Sequence, residues 1–225
     1  MSPLSSLALD ETAAANYIPN GMECSATNTK ARGRPREFDP DVALASALRV
    51  FWLHGYEGAS MAELTEAMGI TKPSLYACFG NKEALFKKAL DLYEREKLSY
   101  VKCALEAPSA RGVAERLLHG ALDTHCGSKD PQGCLGVISM VACATEAASI
   151  REHVIARRVS SEAAVIERFA QAKADGDLPE SVDPKALALC LMTVLQGIAV
   201  KAQGGASRED LESMVDTFMV MWPGR

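Results

Sequence analysis

The stretch SMAELTEAMGITKPSLYACF, residues Ser60–Phe79, decides how this chain folds. Leu64 and Met68 lie one turn apart, so both face inward from a helix that Ser60 caps. Gly69 stands where a tight turn needs a positive φ, and Ile70 fills the gap behind it. A second short helix opens at Thr71, and its Leu75 and Phe79, with Cys78, turn back onto the same core. Thr71, Lys72, Ser74, Tyr76 and Ala77 are left facing outward at its start. Polar and small side chains there meet base edges when such a helix enters a major groove. An ordinary helical hairpin that binds nothing has the same spacing, so the flanking residues matter.

Upstream, Asp39 and Pro40 are a cap and first residue for a helix that His54-Gly55 ends. Its apolar positions are Val42, Ala45, Leu48, Val50, Phe51 and Trp52. Before it runs Arg32-Gly33-Arg34-Pro35-Arg36, basic and extended, because Gly and Pro both resist helix. Such an arm fits a narrow minor groove or binds phosphate without sequence preference. Downstream, Asn81 caps a longer helix with Leu85, Phe86, Ala89, Leu92 and Tyr93 at helical spacing. The N-terminus of that helix suits a phosphate. A basic arm, the two-helix motif and a following anion site together favour DNA binding over a plain hairpin.

Bulk charge raises an objection, since the 225 residues carry a net charge of −5. The charge is uneven, however. Between Lys30 and Lys88 nine basic residues face seven acidic ones. Screening limits the reach of distant charge to about 10 Å at ordinary salt, so a local basic arm can still hold phosphate.

The remainder reads as helix, giving an all-α fold. Segments are expected over 110–126, 133–146, 149–174, 184–202 and 208–222, with breakers between them and no hairpin chemistry. Three regions follow: a disordered tail over 1–31, a DNA-binding domain with its arm over 32–82, and a helical domain over 83–225. The N-terminus lacks a leader pattern and no apolar run approaches a membrane span, so a cytoplasmic protein with reduced thiols is expected.

Residues 36–86 resemble the N-terminal domain of the TetR family of bacterial regulators. Ala47 with Phe51, Gly55-Tyr56, Ala59-Ser60-Met61, Leu64, Gly69-Ile70, Lys72 to Tyr76, Phe79 and Lys82 to Leu85 carry the resemblance. It implies a ligand-responsive regulator, usually a repressor, that binds a palindromic operator as a dimer, with 83–225 as its helical effector-binding and dimerisation domain. By the same resemblance Ser60 and Lys82 would touch phosphates, Thr71, Lys72 and Ser74 would lie at the groove, and Tyr76 would pack on the backbone or a thymine methyl. Arg32, Arg34 and Arg36 complete the expected DNA contacts. Ala77 and Cys78 stand where the family often has aromatic or His residues, and Thr65 where it more often has Ala. The resemblance also implies a pendulum motion of a fourth helix over 82–106.

In the second half, two helices are apolar on more than one face and need a partner to cover them. Leu187, Leu191, Val194, Leu195 and Ile198 on one, and Leu211, Val215 and Phe218 on the other, are the expected dimer contacts. An unknown small-molecule effector is implied by the resemblance, with Leu118, Leu122, Cys134, Met140, Cys143, Phe169 and Met192 as candidate lining. Cys134 opens a helix after Pro131-Gln132-Gly133, where a thiol gains thiolate character, so sensing of oxidants or electrophiles competes with a plain buried Cys. His119, His125, Cys126 and Cys134 match no zinc spacing, and no metal or cofactor is expected. No nucleophile elbow, phosphate loop or paired-acid motif points to an enzyme. A helical adaptor for protein partners remains the other class.

Overall fold

The computed structural model describes residues 38–127, 130–141 and 147–223. The expected tail over 1–31, the arm residues Arg32, Arg34 and Arg36, and Cys143 lie outside the described residues. Among those described there are ten helices and no strand: α1 Pro40–Gly58, α2 Met61–Met68, α3 Lys72–Phe79, α4 Lys82–Lys97, α5 Tyr100–Leu105, α6 Ala110–His125, α7 Leu135–Val141, α8 Ala148–Ala174, α9 Pro184–Gln203 and α10 Arg208–Val220. The all-α expectation holds.

Local chemistry explains the boundaries of the first four helices. The Asp39 side chain accepts from the Asp41 N–H, and Pro40 costs α1 no hydrogen bond. Ser60 and Glu63 form a capping box on α2: the Ser60 N–H donates to Glu63 at 2.9 Å and the Glu63 N–H returns to the Ser60 hydroxyl at 3.1 Å. Those bonds hold the Glu63 carboxyl below its ordinary range. Gly69 ends α2 at φ 64° and ψ 30°, a left-handed conformation that a side chain would strain. Gly55 takes φ 69° inside α1, so regular winding stops there and one more turn follows.

Two expectations need correction here. Val42 and Ala45 are exposed, and the covered face of α1 is Ala43, Ala47, Leu48, Val50, Phe51 and Trp52. The expected single helix over 82–106 is two pieces, because α4 ends at Lys97 and the short α5 opens at Tyr100, with Leu98 and Ser99 between them and no side-chain cap from Ser99.

Two apolar clusters organise the molecule. The first packs α1–α3 against α4, with Phe51 edge-on to Phe86 at 5.1 Å and Trp52 edge-on to Tyr93 at 4.8 Å. It also takes in Leu135, Ile150 and Val154, so the core beneath the two-helix motif does not stop at Lys82. The second joins α6, α8, α9 and α10 around Leu118, Leu122, Phe169, Leu191, Ile198, Leu211 and Val215. Full burial of each such side chain stabilises by about 1.5–3 kcal/mol.

The α9 helix also corrects the expectation about apolar runs: its 20 residues include a window of mean hydropathy 1.5, long and apolar enough to cross a bilayer. Here it buries Ala188, Leu191, Ile198, Ala199 and Ala202 in the second core.

Candidate nucleic-acid interface and effector cavity

The outer edge of α2 and α3 is built by caps. Thr71 caps α3, accepting from the Ser74 N–H at 3.3 Å, and its hydroxyl meets the Ser74 hydroxyl at 2.9 Å. Leu75 and Phe79 are buried beneath, while Thr71, Lys72, Pro73 and Ala77 are exposed and Tyr76 keeps 47% of its surface free. Ser60 is exposed at the start of α2 with its oxygen engaged in the capping box, which leaves its proton for an incoming acceptor. At the start of α4, the Lys82 ammonium stands 4.6 Å from the centre of the Tyr56 ring. Burial pulls that ammonium below its ordinary range, opposed by Glu57 and Glu63. Ser60, Thr71, Lys72, Ser74 and Lys82 thus come from the starts of three helices locked on one core, and Tyr76 follows one turn further along α3. Thr65, where the family more often has Ala, satisfies its hydroxyl on the Met61 and Ala62 carbonyls.

A cavity of about 170 Å³ lies between α4, α5, α6, α7, α8 and α9. Among the expected lining residues Cys134, Met140 and Met192 border it. Leu118, Leu122 and Phe169 do not: each has 0% exposure inside the second core, which corrects that expectation. The sequence reading missed Tyr93 and Tyr100, which border the cavity beside Cys134. Tyr93 had registered only as a core position of its helix, because helical spacing cannot separate a core wall from a cavity wall.

Three contacts tie the cavity wall and the loop before Cys134 to α1 and α4, the helices packed beneath the exposed edge. Arg157, on the cavity wall in α8, pairs with both Asp91 and Glu94 of α4. Asp130 joins Lys97 at 2.6 Å to Arg49 of α1 at 3.3 Å. The carbonyl of Gly133, adjacent to Cys134, accepts from the Trp52 indole at 2.8 Å and faces Nδ1 of His125 at 3.1 Å. Gly133 has φ 87°, and a side chain there would meet the Ala199 carbonyl at 3.1 Å and Cβ of Gln203 at 3.0 Å. The loop before Cys134 therefore touches α1, α6 and α9 at once. Among the described residues no His, Cys, Asp or Glu cluster could hold a metal ion.

The expected dimer contacts divide. Leu191, Ile198, Leu211 and Val215 are at most 1% exposed and face the protomer's own core, where no partner reaches them. Leu187, Val194, Leu195 and Phe218 are half-buried. The outward stripe of α9 is instead Ala186, Leu189, Cys190, Thr193 and Val200, with Leu189 at 40% and Val200 at 53% exposure. Gly197 is half-buried beside it, and open space surrounds its α-carbon.

Two short helices joined by a left-handed glycine, braced by a third and followed by a helical bundle with a cavity, define a helix-turn-helix transcriptional regulator. Comparison with known proteins makes this specific. The profile of the tetR family of bacterial regulatory proteins matches residues 43–89. The HTH-type transcriptional repressor ComR of Escherichia coli K12 is 33% identical over 86% of this chain and 93% of its own length. The repressor BdcR of the same organism is 27% identical over 81% and 88%. A cysteine-substituted form of the TetR family regulator CifR, solved with a 26-bp operator duplex, is 42% identical with a TM-score of 0.81, covering 85% of this chain and all of that one. AibR, solved with isovaleryl coenzyme A and operator DNA, is 25% identical with a TM-score of 0.59, over 82% and 98%. The chain belongs to the TetR family of transcriptional regulators.

Proposed function

We propose that this chain is a cytoplasmic, dimeric repressor that binds a palindromic operator and releases it when a small molecule occupies, or reacts within, the cavity beside Cys134. The observation that carries the reading is that α1 and α4, packed beneath the exposed edge of α3, share one apolar core with Leu135 of α7 and the adjoining Cys134 on the cavity wall. A ligand that prefers one setting of α4 changes the spacing of two recognition helices, and tenfold release needs only about 1.4 kcal/mol of preference. The operator complexes of CifR and AibR, and the repressor names of ComR and BdcR, support the same direction.

In this reading Lys72 and Tyr76 meet the major groove, Thr71 and Ser74 set its edge, Ser60 and Lys82 hold phosphates, and Arg32, Arg34 and Arg36 reach the adjacent minor groove. Two copies pair through the outward stripe of α9, with Leu187, Val194, Leu195 and Phe218 at its borders. The Cys134 thiol gives the cavity a site for thiol-reactive effectors beside reversible ones.

An electrophoretic mobility shift with DNA from upstream of the protein's own gene tests the proposal. A band resistant to random competitor DNA is expected. Lys72→Ala and Lys82→Gln each weaken it about tenfold at fixed salt, and Lys82→Gln also lowers the salt slope by about 1. Equal competition by random DNA overturns operator recognition and leaves a helical adaptor as the better reading.

A further inference from the structure

The cavity wall gathers three polar hydrogens, on the phenols of Tyr93 and Tyr100 and the thiol of Cys134. The thiol lies beside both phenols. Tyr93 is 1% exposed, and although its hydroxyl lies against the Cys134 thiol and the Leu135 backbone, neither meets it in good hydrogen-bonding geometry. An unmade bond of this kind costs about 1–3 kcal/mol, so a buried orphan hydroxyl in a cavity wall asks for a partner. Burial pushes both phenols well above their ordinary range, which keeps their protons on and makes them donors at neutral pH. Burial also holds His125 at about 4, neutral beside them.

The other polar walls narrow the choice. Arg157 is committed to Asp91 and Glu94. Arg158 also borders the cavity, with Nε buried and unpartnered, and makes a carboxylate the competing class of ligand. The remaining wall is largely apolar, including Leu90, Leu117, Val137, Val154 and Leu195. A cavity of about 170 Å³ is slightly larger than one that takes benzene, so roughly six to ten non-hydrogen atoms fill it.

We propose that the cavity takes a small uncharged α,β-unsaturated carbonyl compound, its oxygen held by the Tyr93 and Tyr100 phenols and its β-carbon facing the Cys134 thiol. This rests on the reading of the cavity as the effector site and names the ligand class. Addition is redox-neutral. The sulfur–carbon bond forms at the β-carbon, the alkene electron pair moves toward the carbonyl oxygen, and that oxygen takes a phenol proton. The thiol proton restores the phenol. The enol then returns to the ketone, so the S–H bond and the alkene π bond are exchanged for S–C and C–H bonds.

The test treats the full chain with cyclohex-2-enone, using iodoacetamide as a reference alkylating agent and cyclohexanone and cyclohexanecarboxylate as unreactive ligands. Cys134 is expected to gain the mass of one intact enone, and Cys134→Ser to lose that modification. Tyr93→Phe, alone or with Tyr100→Phe, lowers the enone rate relative to the iodoacetamide rate about tenfold or more, since positioned proton donors contribute at least that much. Cyclohexanone raises the melting temperature of the natural chain more than that of Tyr93→Phe. Because Tyr93→Phe removes an unpartnered hydroxyl, its own melting temperature is expected to stay level or rise. An unchanged rate ratio, a lower melting temperature for Tyr93→Phe, or tighter binding of the carboxylate than of the ketone overturns the assignment while leaving the effector site in place. No alkylation of Cys134 by either reagent, together with no thermal shift from either ligand, overturns the effector-site reading itself.

Discussion

The indole nitrogen of Trp52 donates to the carbonyl oxygen of Gly133 at 2.8 Å. Trp52 belongs to α1, under the two-helix motif, and Gly133 immediately precedes the cavity thiol. The bond is buried and spans 81 residues of sequence. Anything that shifts Cys134 therefore pulls on the helix that positions α2 and α3, independently of the Arg157 ties to α4.

Trp52→Phe tests this bond. The aromatic packing on Tyr93 survives in part, but the N–H is lost and Gly133 keeps only His125. Loss of a buried hydrogen bond costs about 1–2 kcal/mol, to which the smaller ring adds a packing loss. A lower urea midpoint at unchanged slope is expected, together with a smaller difference between effector-free and effector-bound operator affinity. An unaltered difference would remove this bond from the signalling route.

His125 makes stability depend on pH. Burial lowers its folded value from 6.5 to about 4, so the unfolded chain binds a proton that the folded chain refuses in between. The stabilising contribution is complete above pH 6.5 and is lost as pH falls toward 4. Its full size is roughly 3 kcal/mol by linkage. Urea midpoints measured from pH 7 down to 4 should fall for the natural chain more steeply than for His125→Gln. Parallel curves would show that another group governs this window.

Pairing is checked by contrasting two residues of α9. Val200→Glu places a charge on the exposed stripe and is expected to leave a folded monomer with weakened operator binding, since one recognition helix reads a half-site. Leu191→Ala empties a core position and is expected to cost 2–5 kcal/mol in stability, by the usual range for such truncations. Sedimentation and urea melts separate the two effects. A dimer that survives Val200→Glu moves the interface off this stripe.

The motif was legible because its determinants are local. Ser60 caps α2, Gly69 turns left-handed and Thr71 opens α3, each acting within a few residues as its position in the sequence implies. Tertiary choices were not legible. Val42 lies on an apolar-looking face of α1 yet is exposed, because the core meets the face bearing Ala43 and Ala47 instead. On α9, apolar residues run around most of the circumference, so periodicity alone could not assign Leu191 to the core and Val200 to the outside. The cavity posed the same difficulty. Leu118 and Phe169 fill space between helices while Tyr93 and Tyr100 border a void, a difference set by how the surrounding helices cross rather than by any pattern along one of them. In the sequence Gly133 is only the residue before the Cys134 helix, whereas in the fold its carbonyl accepts from Trp52.

The coupled hydroxyls of Thr71 and Ser74 bear on how this protein can evolve. Both side chains serve the start of α3 and both stand at its outer edge, so substitution there alters the helix and the reading surface together. Lys72, Tyr76 and Ala77 are exposed on the same helix outside the cap. Divergence toward a new operator can proceed through those three positions with little loss of stability, which makes them the natural sites for retargeting the regulator by design.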